Sequence, residues 1–303
     1  VVAAGVIVPL VRKRLGTPAA VTQVVAFSAP FALCVAVPRS RKRDVATCTL
    51  QMFAYICAYK SPHDDPEALQ RRVHVHYPIA VDRVLGLGEL PTVRFQRAFA
   101  RHGAQGPQWR ALDRVLVWTH WAWFMVPHGS LLYILARRRG RFSRSAVMTY
   151  AVFDIGAIVY WALPTAPPWY SAALAAGAEG QTPAVRRMMV EYGESFWGDG
   201  WAPLYSVLGG NPLAAMPSLH FATSVMAALL LGEVGPVAGA VGWVYASTLG
   251  FALVYLGEHY VVDLLAGLAL TTAVHRVGPR AGPLLGQVSR IVTALEAKAH
   301  EAG

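Results

Sequence analysis

The chain has 303 residues, of which 55% are hydrophobic and only 15% charged, with a formal net charge of +10. Soluble domains carry roughly a quarter charged residues, and here the apolar residues lie in blocks close to the ~20 residues a bilayer-spanning helix needs, which excludes a single large soluble core. The basic residues gather at the ends of apolar blocks, as in "RSRKR" at 39–43 and "RRRGRFSR" at 137–144; that placement orients membrane helices and argues against nucleic acid as a partner.

In chain order, "VVAAGVIVPLV" at 1–11 precedes "RKR", the wrong order for a signal peptide, and reads as the end of a membrane helix. Further spans are expected at 18–37, 45–60, 115–136, 146–163, 213–232, 236–257 and 259–275. Cys34, Cys48 and Cys57 sit inside apolar blocks with neither a metal-ligand spacing nor a disulfide framework, so they read as packing residues. The expected organisation is one membrane domain over 1–303: extra N-terminal helices at 1–44, a catalytic helix bundle at 45–275 and a cytoplasmic amphipathic tail at 276–303. With both Arg-rich clusters in the cytoplasm, alternation puts loops 61–114 and 164–212 outside, together with the starts of the blocks that carry His220 and His259. The expectation is a multi-pass protein of the cell membrane with its site on the extracytoplasmic side. The many Arg residues of loop 61–114 run against the charge rule, which long loops obey weakly.

Loop 164–212 is crowded with Pro, Gly and Trp, and Trp169, Trp197 and Trp201 suit the headgroup level, where amphipathic rings collect. It delivers into "PSLH" at 217–220, which opens an otherwise apolar run. A second run opens with "HYVVD" at 259–263. Ionisable residues in membrane helices are costly and face cavities or partners. A four-residue spacing puts His259 and Asp263 on one helix face, where the carboxylate can hold one ring nitrogen and leave the other free as nucleophile or base. His220, at the same depth on another helix, is placed to serve as the complementary acid. Pro217 suits a first helical turn, whose backbone donors favour anions. Two imidazoles, a carboxylate and a helix N-terminus together point to phosphoryl transfer.

The pair "PSLH" and "HYVVD" resembles the type-2 phosphatidic acid phosphatase superfamily, which also contains vanadium haloperoxidases. "LPTAPPW" at 163–169, upstream of "AAMPSLH" at 214–220, is similar to its inositol phosphorylceramide synthase-like branch. The motifs cover roughly residues 160–275. The resemblance implies an all-α polytopic bundle with a six-helix core plus extra N-terminal helices. It also implies a phosphohistidine on His259, oriented by Asp263, with His220 as general acid. Two features of the phosphatases are absent: the Arg six residues before the nucleophilic His is Leu253 here, and Lys60 is followed seven residues on by Glu67, not Arg-Pro.

The missing clamp leaves Lys60, Arg71, Arg72, Arg186 and Arg187 as candidate phosphate ligands, although each also suits plain headgroup or surface contact. Trp169, Asn211 and Ser218 complete the candidate substrate contacts. His120 suits the cavity wall and His128, eight residues on and on a similar helix face, a structural hydrogen bond. Asp154 is expected to meet a partner on a neighbouring helix, and Asp64 and Asp65 to lie in a solvated turn, without a metal. No cofactor is expected. The reading is transfer of a phosphoryl-headgroup unit, phosphoinositol by family analogy, from a phospholipid donor to a lipid or polyol alcohol. The alternative is hydrolysis of a polyprenyl or diacylglycerol phosphate. A transporter is the third option; the absence of an inverted repeat argues against it.

Overall fold

Backbone placed in hydrocarbon must satisfy its own N–H and C=O groups, which a helix does within one segment. The computed structural model, which describes residues 1–60, 66–103, 106–208 and 210–301, is built accordingly. In order it has α1 (Val2–Leu15), α2 (Ala19–Ala36), α3 (Arg41–Lys60), α4 (Pro66–Arg72), α5 (His76–Leu85) and α6 (Pro91–Phe99). A two-stranded antiparallel pair follows, β1 (Arg101–Gly103) and β2 (Gly106–Gln108). Then come α7 (Ala111–Ala122), α8 (Val126–Arg137), α9 (Arg139–Ala162), α10 (Pro168–Glu179), α11 (Met188–Trp197) and α12 (Trp201–Leu208). The chain closes with α13 (Leu219–Gly232), α14 (Pro236–Tyr255), α15 (Val261–Val277) and α16 (Gly282–Glu301).

Among the described residues, four helices are long and apolar enough to cross a membrane: Ala19–Ala36, Arg139–Ala162, Pro236–Tyr255 and Val261–Arg280. Leu219–Gly232 is apolar but shorter. The multi-pass, all-helical architecture expected from the sequence is therefore present, with four corrections. The span expected at 115–136 is two helices, α7 and α8, broken at Trp123–Met125, because Pro127 has no N–H to continue the ladder and its ring opposes the carbonyl four residues back. Loop 164–212 is largely helical, as α10 to α12. Loop 61–114 holds α4, α5 and α6. The block expected from 213 enters its helix only at Leu219, with Ser218 as N-cap and Pro217 outside the first turn.

The core sits between α3, α8, α9, α13 and α14, where Phe153, Met226, Leu249 and Leu253 are fully buried. Helices α13 and α14 approach closely because small residues face each other. A Cβ on Gly242 would come within 2.7 Å of the Ala228 Cα, and one on Gly239 equally near the Gly232 Cα. Asp154 of α9 finds its neighbour-helix partner in Gln51 of α3, at 2.9 Å. A second cluster, under α11 and α12, packs Met188, Tyr192 and Trp201 against Val117 and Tyr255. The tail helix α16 lies along α2 and is pinned by Glu296, which accepts from Arg43 at 3.0 Å and Arg39 at 3.4 Å. All three cysteines are free.

Candidate active site

Two sequence motifs meet because backbone hydrogen bonds stitch them together. The Thr165 N–H donates to Leu213 O (2.9 Å) and Ala215 N–H to Thr165 O (3.2 Å), while His74 N–H reaches Pro164 O (2.8 Å) and Ala166 N–H reaches His74 O (3.0 Å). Segments 163–169 and 213–220 thus form one short ladder beside the N-terminus of α13. Tyr160, at the end of α9, clamps the entrance to that helix by donating to Pro217 O at 2.7 Å and accepting from Leu219 N–H at 3.3 Å.

The turn that carries His259 is fixed just as closely. Gly257 has φ +86°, a left-handed conformation that glycine tolerates, and a Cβ there would stand 2.5 Å from Arg186 O. Trp169 N–H donates to Gly257 O (3.2 Å) and Met188 N–H to Leu256 O (3.1 Å). Buried Gln96 bridges both strands of this junction, donating to Arg186 O and Tyr255 O, each at 2.9 Å. His259 therefore precedes α15 and does not ride on its face. Asp263 is the third residue of the helix, and its Oδ2 accepts Tyr260 N–H at 2.9 Å. The expected pairing across four residues arises from a capping geometry instead of from two side chains on one helical face.

These elements bring the three residues into a row. His259 Nδ1 lies 3.4 Å from Asp263 Oδ2, and His259 Nε2 lies 3.2 Å from His220 Nδ1. The first distance is long for a hydrogen bond; such contacts often tighten only when substrate is bound. Asp263 is fully buried and His259 nearly so. With Nδ1–H of His259 directed at the carboxylate, Nε2 is left as the lone-pair nitrogen and His220 Nδ1 as the proton donor. That arrangement can perform nucleophilic attack with an adjacent acid.

The row opens on a cavity of about 530 Å³. Its wall contains Lys60, His120, Trp169, Arg187 and Asn211 of the residues singled out from sequence, along with His220 and His259. His120 stacks on His220 with ring centroids 5.0 Å apart and planes 27° from parallel, and its Nδ1 is buried without a protein partner. Asn211 shapes its own loop, accepting Leu213 N–H at 2.9 Å, and leaves its buried Nδ2 without a protein partner. The remainder of the wall is apolar or aromatic, including Tyr55, Tyr59, Trp121, Trp123, Trp201 and Tyr205. Trp201 is buried in this wall, and Trp197 also lines it.

Other sequence candidates lie apart. Arg71 is exposed beside Glu67, and Arg72 donates to Trp161 O. Arg186 turns away from the cavity to pair with Glu191. Ser218 is fully buried and caps α13 through Phe221 N–H at 3.3 Å. His128 belongs to the other side of the α7–α8 break; it stacks near Tyr150 and Phe153, and its Nδ1 has no hydrogen-bond partner, contrary to the structural bond expected. Asp64 and Asp65 lie outside the described residues.

Two acidic residues were not found from the sequence. Glu258 lines the cavity and holds Arg187 in a two-pronged ion pair at 3.1 and 3.3 Å, with the guanidinium 3.9 Å over the Trp169 ring. Burial works against the Arg187 charge, but the Glu258 carboxylate and the Tyr205 hydroxyl together outweigh it and keep the pKa above its ordinary value. Asp82, buried on α5, accepts Val261 N–H at 2.8 Å and Val262 N–H at 2.9 Å, capping α15 from a distant part of the chain. The first-turn donors of α15 are thus spent on protein groups. On α13, Leu219 N–H and Phe221 N–H are taken by Tyr160 and Ser218. These four donors are therefore taken by protein groups and not open to an anion, and among the described residues the cations in the wall are Lys60 and Arg187.

Residues 92–277 match the model of the PAP2 superfamily. The chain belongs to that superfamily. The PAP2 match begins in α6, ends with α15 and contains the whole His220–His259–Asp263 row, Arg187 and Glu258, whereas Lys60 and Asp82 precede it. The chain is 34% identical over 122 residues to the inositol phosphorylceramide synthase catalytic subunit of Schizosaccharomyces pombe, covering 38% of this chain and 27% of that protein. It is 30% identical over 130 residues to the inositol phosphorylceramide synthase of Candida albicans, covering 40% of this chain and 26% of that protein. It thus spans about a quarter of the length of the curated relatives it matches. No solved structure matches it. At the position where PAP2 phosphatases were expected to carry an arginine, Leu253 is fully buried in the core.

Proposed function

We propose that this PAP2 member is a phosphotransferase that moves a phosphoryl-headgroup unit from a phospholipid donor to an alcohol on a second lipid or a polyol. The names of its two relatives suggest phosphoinositol as the unit and a ceramide-type lipid as one acceptor. His259 Nε2 attacks phosphorus, and the bond to the lipid alkoxide breaks as His220 Nδ1 delivers its proton to the leaving oxygen. Asp263 keeps the His259 proton on Nδ1 and stabilises the charge that the ring acquires, as the acid of a Ser-His-Asp triad does for its histidine. In the second half the acceptor hydroxyl gives its proton to His220, attacks the phosphohistidine and restores the free imidazole. Lys60, Arg187 and the Asn211 amide are proposed to hold the non-bridging oxygens. We also propose that the site faces the extracytoplasmic side of the cell membrane.

The observation that carries this reading is the Asp263–His259–His220 row, with spacings of 3.4 and 3.2 Å, opening on a largely apolar cavity. An apolar wall suits two lipid chains and disfavours water as acceptor. The test is an assay of the full chain in liposomes, without divalent metal, using radiolabelled phosphatidylinositol or a radiolabelled lipid phosphate. Label should pass from phosphatidylinositol to a lipid alcohol and the transfer should vanish in His259→Ala. Release of inorganic phosphate from the lipid phosphate, with phosphatidylinositol inert, would show a phosphatase and sink the proposal.

A further inference from the structure

The proposed mechanism leaves His120 without a task. This side chain ends α7 just before the break at Trp123–Met125, is 5% exposed and lines the cavity. Its Nδ1 is buried without a partner, so Nε2 is the nitrogen left for a ligand. A neutral imidazole has one N–H and one lone pair. A buried N–H without an acceptor is costly and rare, which assigns the hydrogen to Nε2, on the cavity side. The ring is held in place by its stack on His220, with centroids 5.0 Å apart. His220 in turn lies 4.2 Å from the ring of Trp123, whose indole N–H is fixed to Thr223 at 2.9 Å. His120 thus offers an uncharged donor from a largely apolar wall, against the ring proposed to give and take the alcohol's proton.

We infer that His120 binds, through Nε2–H, an acyl carbonyl carried beside the reacting oxygen of the lipid alcohol, and so makes the site selective for acylated lipid alcohols. This rests on the proposal that His220 serves the leaving and the entering alcohol in this cavity. Both alcohols stand opposite His259 on phosphorus, since entering and leaving groups of phosphoryl transfer lie roughly in line. They therefore occupy one place in turn, and His120 meets the same part of each. The ester of a departing diacylglycerol and the amide of an entering N-acylated amino alcohol both bring a carbonyl oxygen, which an uncharged N–H suits. Water and unacylated alcohols bring none and leave the donor unpaired, and sites built to hydrogen-bond a substrate group discriminate against analogues that lack it.

The experiment compares diacylglycerol with dialkylglycerol of the same chain length, a pair that differs only in the carbonyls. In liposomes containing phosphatidylinositol, the full chain should exchange labelled diacylglycerol into that lipid with a KM roughly tenfold below that for labelled dialkylglycerol. His120→Phe, which keeps a ring on His220 but removes the donor, should bring the two KM values together. His120→Gln, which keeps an N–H donor, should retain the preference. A parent that uses both lipids alike, or a His120→Phe protein that slows both equally and keeps their ratio, would overturn the inference; the latter would leave His120 as a support for His220 or a ligand of the phosphoryl oxygens. Binding is read separately, by titrating both lipids in mixed micelles into the inactive His259→Ala protein and following tryptophan fluorescence. The diacyl preference should appear there and vanish when His120→Phe is added. If the active protein proved hydrolytic, with no label entering phosphatidylinositol, that preference would leave this inference standing while the transfer proposal fell.

Discussion

Asp263 does two things with one oxygen. Its Oδ2 caps Tyr260 N–H and faces His259 Nδ1, while Oδ1 is buried with no partner. An asparagine of the same shape retains an acceptor for the cap but loses the charge that stabilises a cationic imidazole. Asp263→Asn should therefore fold with a thermal midpoint close to the parent and lose roughly three to four orders of magnitude in turnover, measured by single-turnover transfer in liposomes. A large fall in midpoint with a small loss in rate would show that the cap is its main role. At this scale the sequence was informative about His220, His259 and Asp263, since ionisable groups at the heads of apolar runs have few bland explanations. It was less so about their surroundings. Arg187 was one cation among five, and its distinction from Arg186 comes from which carboxylate each meets: Glu258 in the cavity wall, or Glu191 five residues along.

Element boundaries show which local signals dominate. Pro127 was visible in the sequence, yet an apolar run of span length masked it, and the break at Trp123–Met125 puts His120 in the cavity and His128 on a different surface. The start of α15 depends on a cap that no local reading finds, because Asp82 lies 179 residues from Val261. Burial raises the Asp82 carboxyl pKa more than its two backbone N–H bonds lower it. Removing that carboxylate leaves two buried helix donors unsatisfied, worth about 1–3 kcal/mol. Asp82→Ala should lower the thermal midpoint in detergent and slow transfer by loosening the turn that carries His259. Asp82→Asn, which still accepts one N–H, should fall between. Unchanged stability in both variants would mean that water satisfies those donors.

Seen whole, the molecule separates two polar ends with an apolar middle. The His220–His259–Asp263 row lies at the start of α13 and α15, and at the other end of those helices Glu233 meets Arg144 at 2.6 Å, Arg141 at 3.1 Å and His275 at 3.5 Å. Burial pushes the Glu233 pKa up, but Arg144, His275 and Arg141 together outweigh it and hold it below the ordinary 4.5. A carboxylate depressed in the folded state stabilises that state above its unfolded pKa and ceases to do so as pH falls through the folded value. The difference in thermal midpoint between the parent and Glu233→Gln should accordingly be full near neutral pH and vanish under acid conditions below 4.5. A difference that persists unchanged in acid would assign it to packing.

The sequence by itself determined the helical membrane bundle, the superfamily and the three residues of the row, because hydrophobic length, basic flanks and rare polar intrusions are local properties of the chain. Tertiary structure alone decided that segments 163–169 and 213–220 share a backbone ladder, that Asp82 caps α15, and that Glu258 faces Arg187 in the cavity. Each of these is a pairing between groups far apart in sequence. Its energy depends on a distance of about 3 Å, which only the folded chain sets.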